Sequence, residues 1–152
     1  MADHVAVGLF RVVTVLHAAM TVTQAVAAGA VLQASTIGLI VHQAVGGTLL
    51  LVAMIQVPAA VFAWRPGRLP AWPIGVSAAL VVAEIAQVAL GATGVLAVHV
   101  PLGVSIVGTA VALAVWAWRT RSGRGTRSPG TGVVGGPCYS SSEQVFEDRS
   151  GR

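Results

Sequence analysis

The sequence predicts an all-α, polytopic membrane protein: an up-down-up-down four-helix bundle followed by a disordered C-terminal tail. Three observations carry that prediction. Of 152 residues, 55% are hydrophobic and 9% charged, where a soluble domain has about a quarter charged. The mean hydropathy is +0.82. The apolar residues form four continuous runs, each close to or above the roughly 20 residues that cross hydrocarbon as a helix. All nine basic residues are arginine, and they fall at the ends of those runs or in the tail.

The spans are predicted at about 5–32, 37–64, 72–90 and 95–118, so that residues 1–119 make one transmembrane bundle. Alanine, valine and glycine dominate them, as suits helices whose backbones pack closely. The runs are continuous and too long for the alternating strands of a membrane barrel. Arg11 followed by an apolar run and Ala28-Gly29-Ala30 has the outline of a signal peptide. Its apolar core would then contain His17 and Gln24, and the first run reads better as a span. Pro101 falls in the first turns of the fourth span, where a missing N–H costs little. The segment 120–152 is rich in glycine, serine, proline and charge, with little to bury, and is predicted to be a disordered cytoplasmic tail. Its lone cysteine, Cys138, allows no disulfide within the chain, and no CxxC or CxxCH motif occurs. Covalent c-type haem and cysteine-based zinc sites are therefore excluded.

Charge sets the orientation. Arg65 and Arg68 lie in the second connection and Arg119, Arg121, Arg124 and Arg127 follow the fourth span, while connections 33–36 and 91–94 carry no charge. The positive-inside rule puts both termini and the middle loop in the cytoplasm, in a plasma membrane. Phe62, Trp64, Trp72, Trp116 and Trp118 fall at the same face as an interfacial belt. A pI near 11 could point to nucleic acid, but this distribution of arginine is explained by topology and predicts a lipid partner instead.

Two short stretches carry the candidate chemistry. Val41-His42-Gln43-Ala44-Val45-Gly46 and Val98-His99-Val100-Pro101-Leu102-Gly103 each place a histidine in an apolar run with glycine four residues on. That spacing puts both on one helix face, where the glycine would leave room for a flat group. His42 and His99 lie about 9 and 7 Å below the outer ends of their spans, at nearly one level. An ionisable residue inside a membrane is costly and reads first as functional. The pair is predicted to supply both axial ligands of a haem b, the iron bound by His42 and His99 with Gly46 and Gly103 beside it. Gln24, Gln87 and Glu84, the sole acid within the spans, are candidate hydrogen-bond partners behind the ligands. Glu84 could equally be structural or a proton-relay group. His17 lacks a glycine four residues on and a counterpart in the second half, and reads as an interhelical hydrogen-bonding residue. His4 reads as solvated.

The halves resemble each other: Gln24, Gly29, His42 and Gly46 are echoed by Gln87, Gly91, His99 and Gly103. A duplicated helical hairpin is the reading. On the same residues, over about 12–118, the chain resembles a family of small four-span bacterial membrane proteins with no assigned activity. More distantly it is similar to half of a haem A synthase, or to a cytochrome b561-type bundle. That likeness implies paired helix histidines holding haem b, although further signature residues of those families are missing. The leading expectation is a bis-histidine electron relay serving a membrane quinone or a redox-complex subunit, with a homodimer also allowed. The alternative is a non-catalytic membrane subunit or assembly factor whose His/Gln/Glu cluster only stabilises helix packing. A proton-coupled transporter using Glu84 is disfavoured by four short, unbroken spans.

Overall fold

The computed structural model describes residues 2–120. Four helices and no strands are found among them: α1 Ala2–Leu32, α2 Thr36–Trp64, α3 Trp72–Thr93 and α4 Leu96–Arg119. All four are long and apolar enough to cross a membrane; the shortest, 22 residues, spans about 33 Å at 1.5 Å per residue. The tail beyond Thr120 lies outside the described residues.

Each boundary has a local cause. The Ser35 side chain accepts from the Gly38 N–H and caps α2, satisfying a donor the helix itself leaves free. Pro73 opens α3 at its first turn, where no N–H is needed. Helix α3 runs three residues past the predicted end because Gly91, Ala92 and Thr93 hold helical geometry. Gly94 then takes the left-handed conformation, φ +72°, and closes the helix with a bond to Gly91 O. Pro58 and Pro101 sit inside α2 and α4 without ending them, which membrane helices tolerate.

The helices pack as a square. α1 adjoins α2 and α4, α3 adjoins the same two, and the diagonal pairs α1/α3 and α2/α4 have no close backbone approach among the described residues. At the crossing of α1 and α2 a Cβ on Gly38 would come within 2.6 Å of Ala30 Cβ, so glycine permits that approach. The apolar core lies toward the arginine end, where Val7, Phe10, Ala63, Leu69, Leu113 and Ala117 interlock. There the Arg11 guanidinium donates to Ala117 O at 2.9 Å and to Thr120 O, meeting carbonyls that the end of α4 leaves free. Trp72 and Trp116 meet edge to face at 4.5 Å between ring centroids.

The distribution of polarity is the reverse of a soluble bundle. Leu32, Ile37, Val82 and Val104 are among many large apolar side chains left exposed, while Thr14, His17, Thr21, Gln56, Ser77 and Glu84 are buried. An exterior this apolar is consistent with a multi-pass membrane protein.

Candidate functional site

At the end of the bundle carrying the two short turns, the halves make the same contact. Gln24 on α1 donates through Nε2 to His42 O at 2.9 Å, and Gln87 on α3 donates through Nε2 to His99 O at 2.9 Å. Glycine four residues on makes this possible. A Cβ at Gly46 would lie 2.9 Å from Gln24 Nε2, and one at Gly103 would lie 2.8 Å from Gln87 Nε2. The space beside both glycines therefore holds a glutamine amide, where the sequence suggested room for a flat group.

His42 and His99 project from the diagonal helices α2 and α4, and both are half-buried. Their ring centroids are 6.2 Å apart with planes inclined by 61°. His99 lies against Gly91, where a Cβ would be 3.0 Å from the ring's Cε1. Its Nδ1 donates to Gln87 O at 3.0 Å. A carbonyl only accepts, so Nδ1 carries a hydrogen, and in the neutral ring Nε2 presents a lone pair. His42 differs: its Nδ1 is buried without a partner, and the spacing that carries Gln24 onto Gln87 sets Ala28, not a glycine, opposite Gly91.

Whether these residues suit a haem can be tested on distance and donor chemistry. Two imidazoles on one metal need about 2 Å for each metal–nitrogen bond and about 1 Å from each nitrogen to its ring centroid, so about 6 Å between centroids. The observed separation matches that requirement. A backbone carbonyl on Nδ1 is the usual anchor of a ligand histidine. Among the described residues no group of three or more His, Cys, Asp and Glu side chains could hold a bare ion. Two imidazoles alone would suit a metal that brings further ligands of its own. Three buried acceptor or ring atoms here, Gln24 Oε1, Gln87 Oε1 and His42 Nδ1, have no partner, and natural interiors rarely leave such atoms unpaired. The residues fit.

A second polar cluster lies deeper and ties three helices together. His17 on α1 has Nδ1 2.8 Å from Gln56 Oε1 on α2 and Nε2 2.6 Å from Glu84 Oε1 on α3. Gln56 donates through Nε2 to Ser77 Oγ on α3 at 3.1 Å. All four side chains are buried. Glu84 is thus the partner of His17 across the α1/α3 diagonal, with no hydrogen bond to His42 or His99. The interhelical role expected of His17 is what the geometry displays. Gln56 and Ser77 were not singled out from sequence, although a polar amide in the middle of an apolar run was a visible signal for Gln56. The spacing that relates the halves at the turn end carries His17 onto Leu80 and Gln56 onto Leu113, both buried. The outer layer is therefore symmetric and this deeper layer is not: its histidine and glutamine come from the first half, its serine and glutamate from the second.

Comparison with family models, with curated proteins and with solved structures finds no match for this chain.

Proposed function

We propose that this chain is a multi-pass membrane protein that holds a haem b between His42 and His99 and passes single electrons, with its arginine- and tryptophan-rich end on the cytoplasmic side. One observation carries the reading: two imidazoles on diagonal helices, 6.2 Å apart between ring centroids, one with its Nδ1 hydrogen held by a backbone carbonyl. When bound, haem supplies a one-electron couple. His99 is oriented by Gln87 O so that Nε2 faces away from its own hairpin's carbonyl. The Gln24 and Gln87 amides brace the backbone at each histidine. His42 and His99 would together hold the iron and leave no coordination position for a substrate, which favours relay over catalysis. A membrane quinone or a subunit of a larger redox complex is the fitting partner.

Protein purified in detergent after haem supplementation is expected to be red with a six-coordinate spectrum. His42→Ala or His99→Ala should abolish that spectrum while the helices remain folded. A colourless wild-type preparation would refute the proposal.

The buried cluster of His17, Gln56, Ser77 and Glu84 specifically favours a second reading, in which the polar side chains only fix helix packing. It predicts that both alanine variants lower stability and that no pigment is lost because none was bound.

A further inference from the structure

The hydrogen bonds around His17 determine where its protons reside. Gln56 directs its amide nitrogen at Ser77 Oγ and its oxygen at His17 Nδ1. An amide oxygen only accepts, so Nδ1 carries a hydrogen. The 2.6 Å gap between Nε2 and Glu84 Oε1 is a hydrogen-bond distance and holds one more. That hydrogen belongs either to an imidazolium donating to a carboxylate or to a carboxylic acid donating to a neutral ring. Both arrangements contain the same protons and the same net charge of zero. The other carboxyl oxygen, Glu84 Oε2, is buried and has no partner, on a side chain only 5% exposed beside a histidine that is 0% exposed.

We propose that His17 and Glu84, held by Gln56 and Ser77, form a proton-binding site in the bundle interior: one proton is shared along the Nε2–Oε1 bridge, and a second is taken up on Glu84 Oε2. On uptake the new O–H forms at Oε2, Oε1 accepts from the Nε2–H, and the cluster becomes an imidazolium beside a carboxylic acid with net charge +1. A proton is the fitting occupant because a single oxygen remains available. Gln56 Oε1 and Glu84 Oε1 are already committed to His17, and a metal cation needs several oxygen ligands at once.

No other charge competes for the site. Glu84 is the sole acid of α3. From α1, Arg11 is committed to Ala117 O and Thr120 O at the arginine end, and Asp3 and His4 are exposed near the same end. His42 on α2 and His99 on α4 lie at the turn end, and Arg119 of α4 is exposed at the opposite one. Among the described residues, His17–Glu84 is the one pair within ion-pairing distance. The site stands without any group bound between His42 and His99.

Infrared difference spectroscopy on the full chain in micelles, stepped from neutral to acidic pH, tests the proposal. The substitutions E143Q and E147Q leave Glu84 as the sole glutamate, so carboxyl-13C glutamate assigns its bands without touching the cluster. The expected result is a labelled carboxylic C=O band that appears or shifts on acidification, together with one proton more taken up by wild type than by Glu84→Gln over the same range. Glu84→Gln should remove the band and that extra proton. A labelled carboxyl that does not change over the whole range, or proton uptake equal in wild type and Glu84→Gln, would overturn the assignment.

Discussion

Replacing His17 by leucine isolates the energetics of the buried cluster. The side chain is fully buried and makes two hydrogen bonds, so the substitution strands Gln56 Oε1 and Glu84 Oε1 next to the already unpartnered Oε2. In a water-soluble core each stranded group costs about 1–3 kcal/mol, giving roughly 2–6 kcal/mol for the pair. In a membrane the separated helices find other partners, and interhelical bonds average about 0.6 kcal/mol with a maximum near 1.7. The membrane figure is the relevant one, and two bonds then amount to about 1–3 kcal/mol. The cost should vanish when the whole cluster is made apolar or self-satisfied. His17→Leu, Gln56→Leu and Glu84→Thr together copy the second half's Leu80 and Leu113 and the buried Thr21, whose hydroxyl donates to Ala18 O in its own helix at 2.8 Å. Ser77 can turn back to its own helix in the same way. The triple variant should fall within about 1 kcal/mol of wild type, as replacement of buried polar sets often does. Reversible unfolding in mixed micelles, followed by helicity against detergent mole fraction, measures both. The reasoning fails if His17→Leu lies within about 0.5 kcal/mol of wild type, or if the triple variant is at least as unstable as the summed single variants.

Further outcomes follow from the same contacts. Gly38→Ala forces a Cβ to 2.6 Å from Ala30 Cβ and 3.0 Å from the Ala30 backbone, and should cost about 1–3 kcal/mol, read as a lowered thermal midpoint. Gly103→Ala displaces the Gln87 amide instead, which is the movable end of a side chain. Loss of that bond, about 1 kcal/mol, is offset by the better helix propensity of alanine, also about 1 kcal/mol. Stability should therefore hardly change, whereas the spectrum of haem-supplemented protein should shift. His42, whose Nδ1 has no anchor, should be the more weakly held ligand. Carbon monoxide added to reduced protein should displace it, and imidazole should restore six-coordination more readily to His42→Ala than to His99→Ala. In haem-loaded protein, adding an electron should favour proton uptake at Glu84, so the midpoint potential should fall as pH rises. Glu84→Gln should flatten that dependence.

The four helices, their alternation and the chemical likeness of the halves are all legible in the order of residues. Length, apolarity and capping act locally, and uninterrupted apolar runs have few structures open to them in lipid. The same order also places His42 and His99 at a common level, because depth along a helix is simple counting. Which polar groups meet depends on the packing of the helices in three dimensions. His17 and Glu84 are 67 residues apart on diagonal helices, and their encounter depends on how far each helix is rotated about its axis. That rotation is set by contacts such as Gly38 against Ala30 and Phe10 in the core, not by any local preference. The same reason explains Gly46 and Gly103. Periodicity showed that each shares a face with a histidine, but the neighbouring helix decided that a glutamine amide would fill the space.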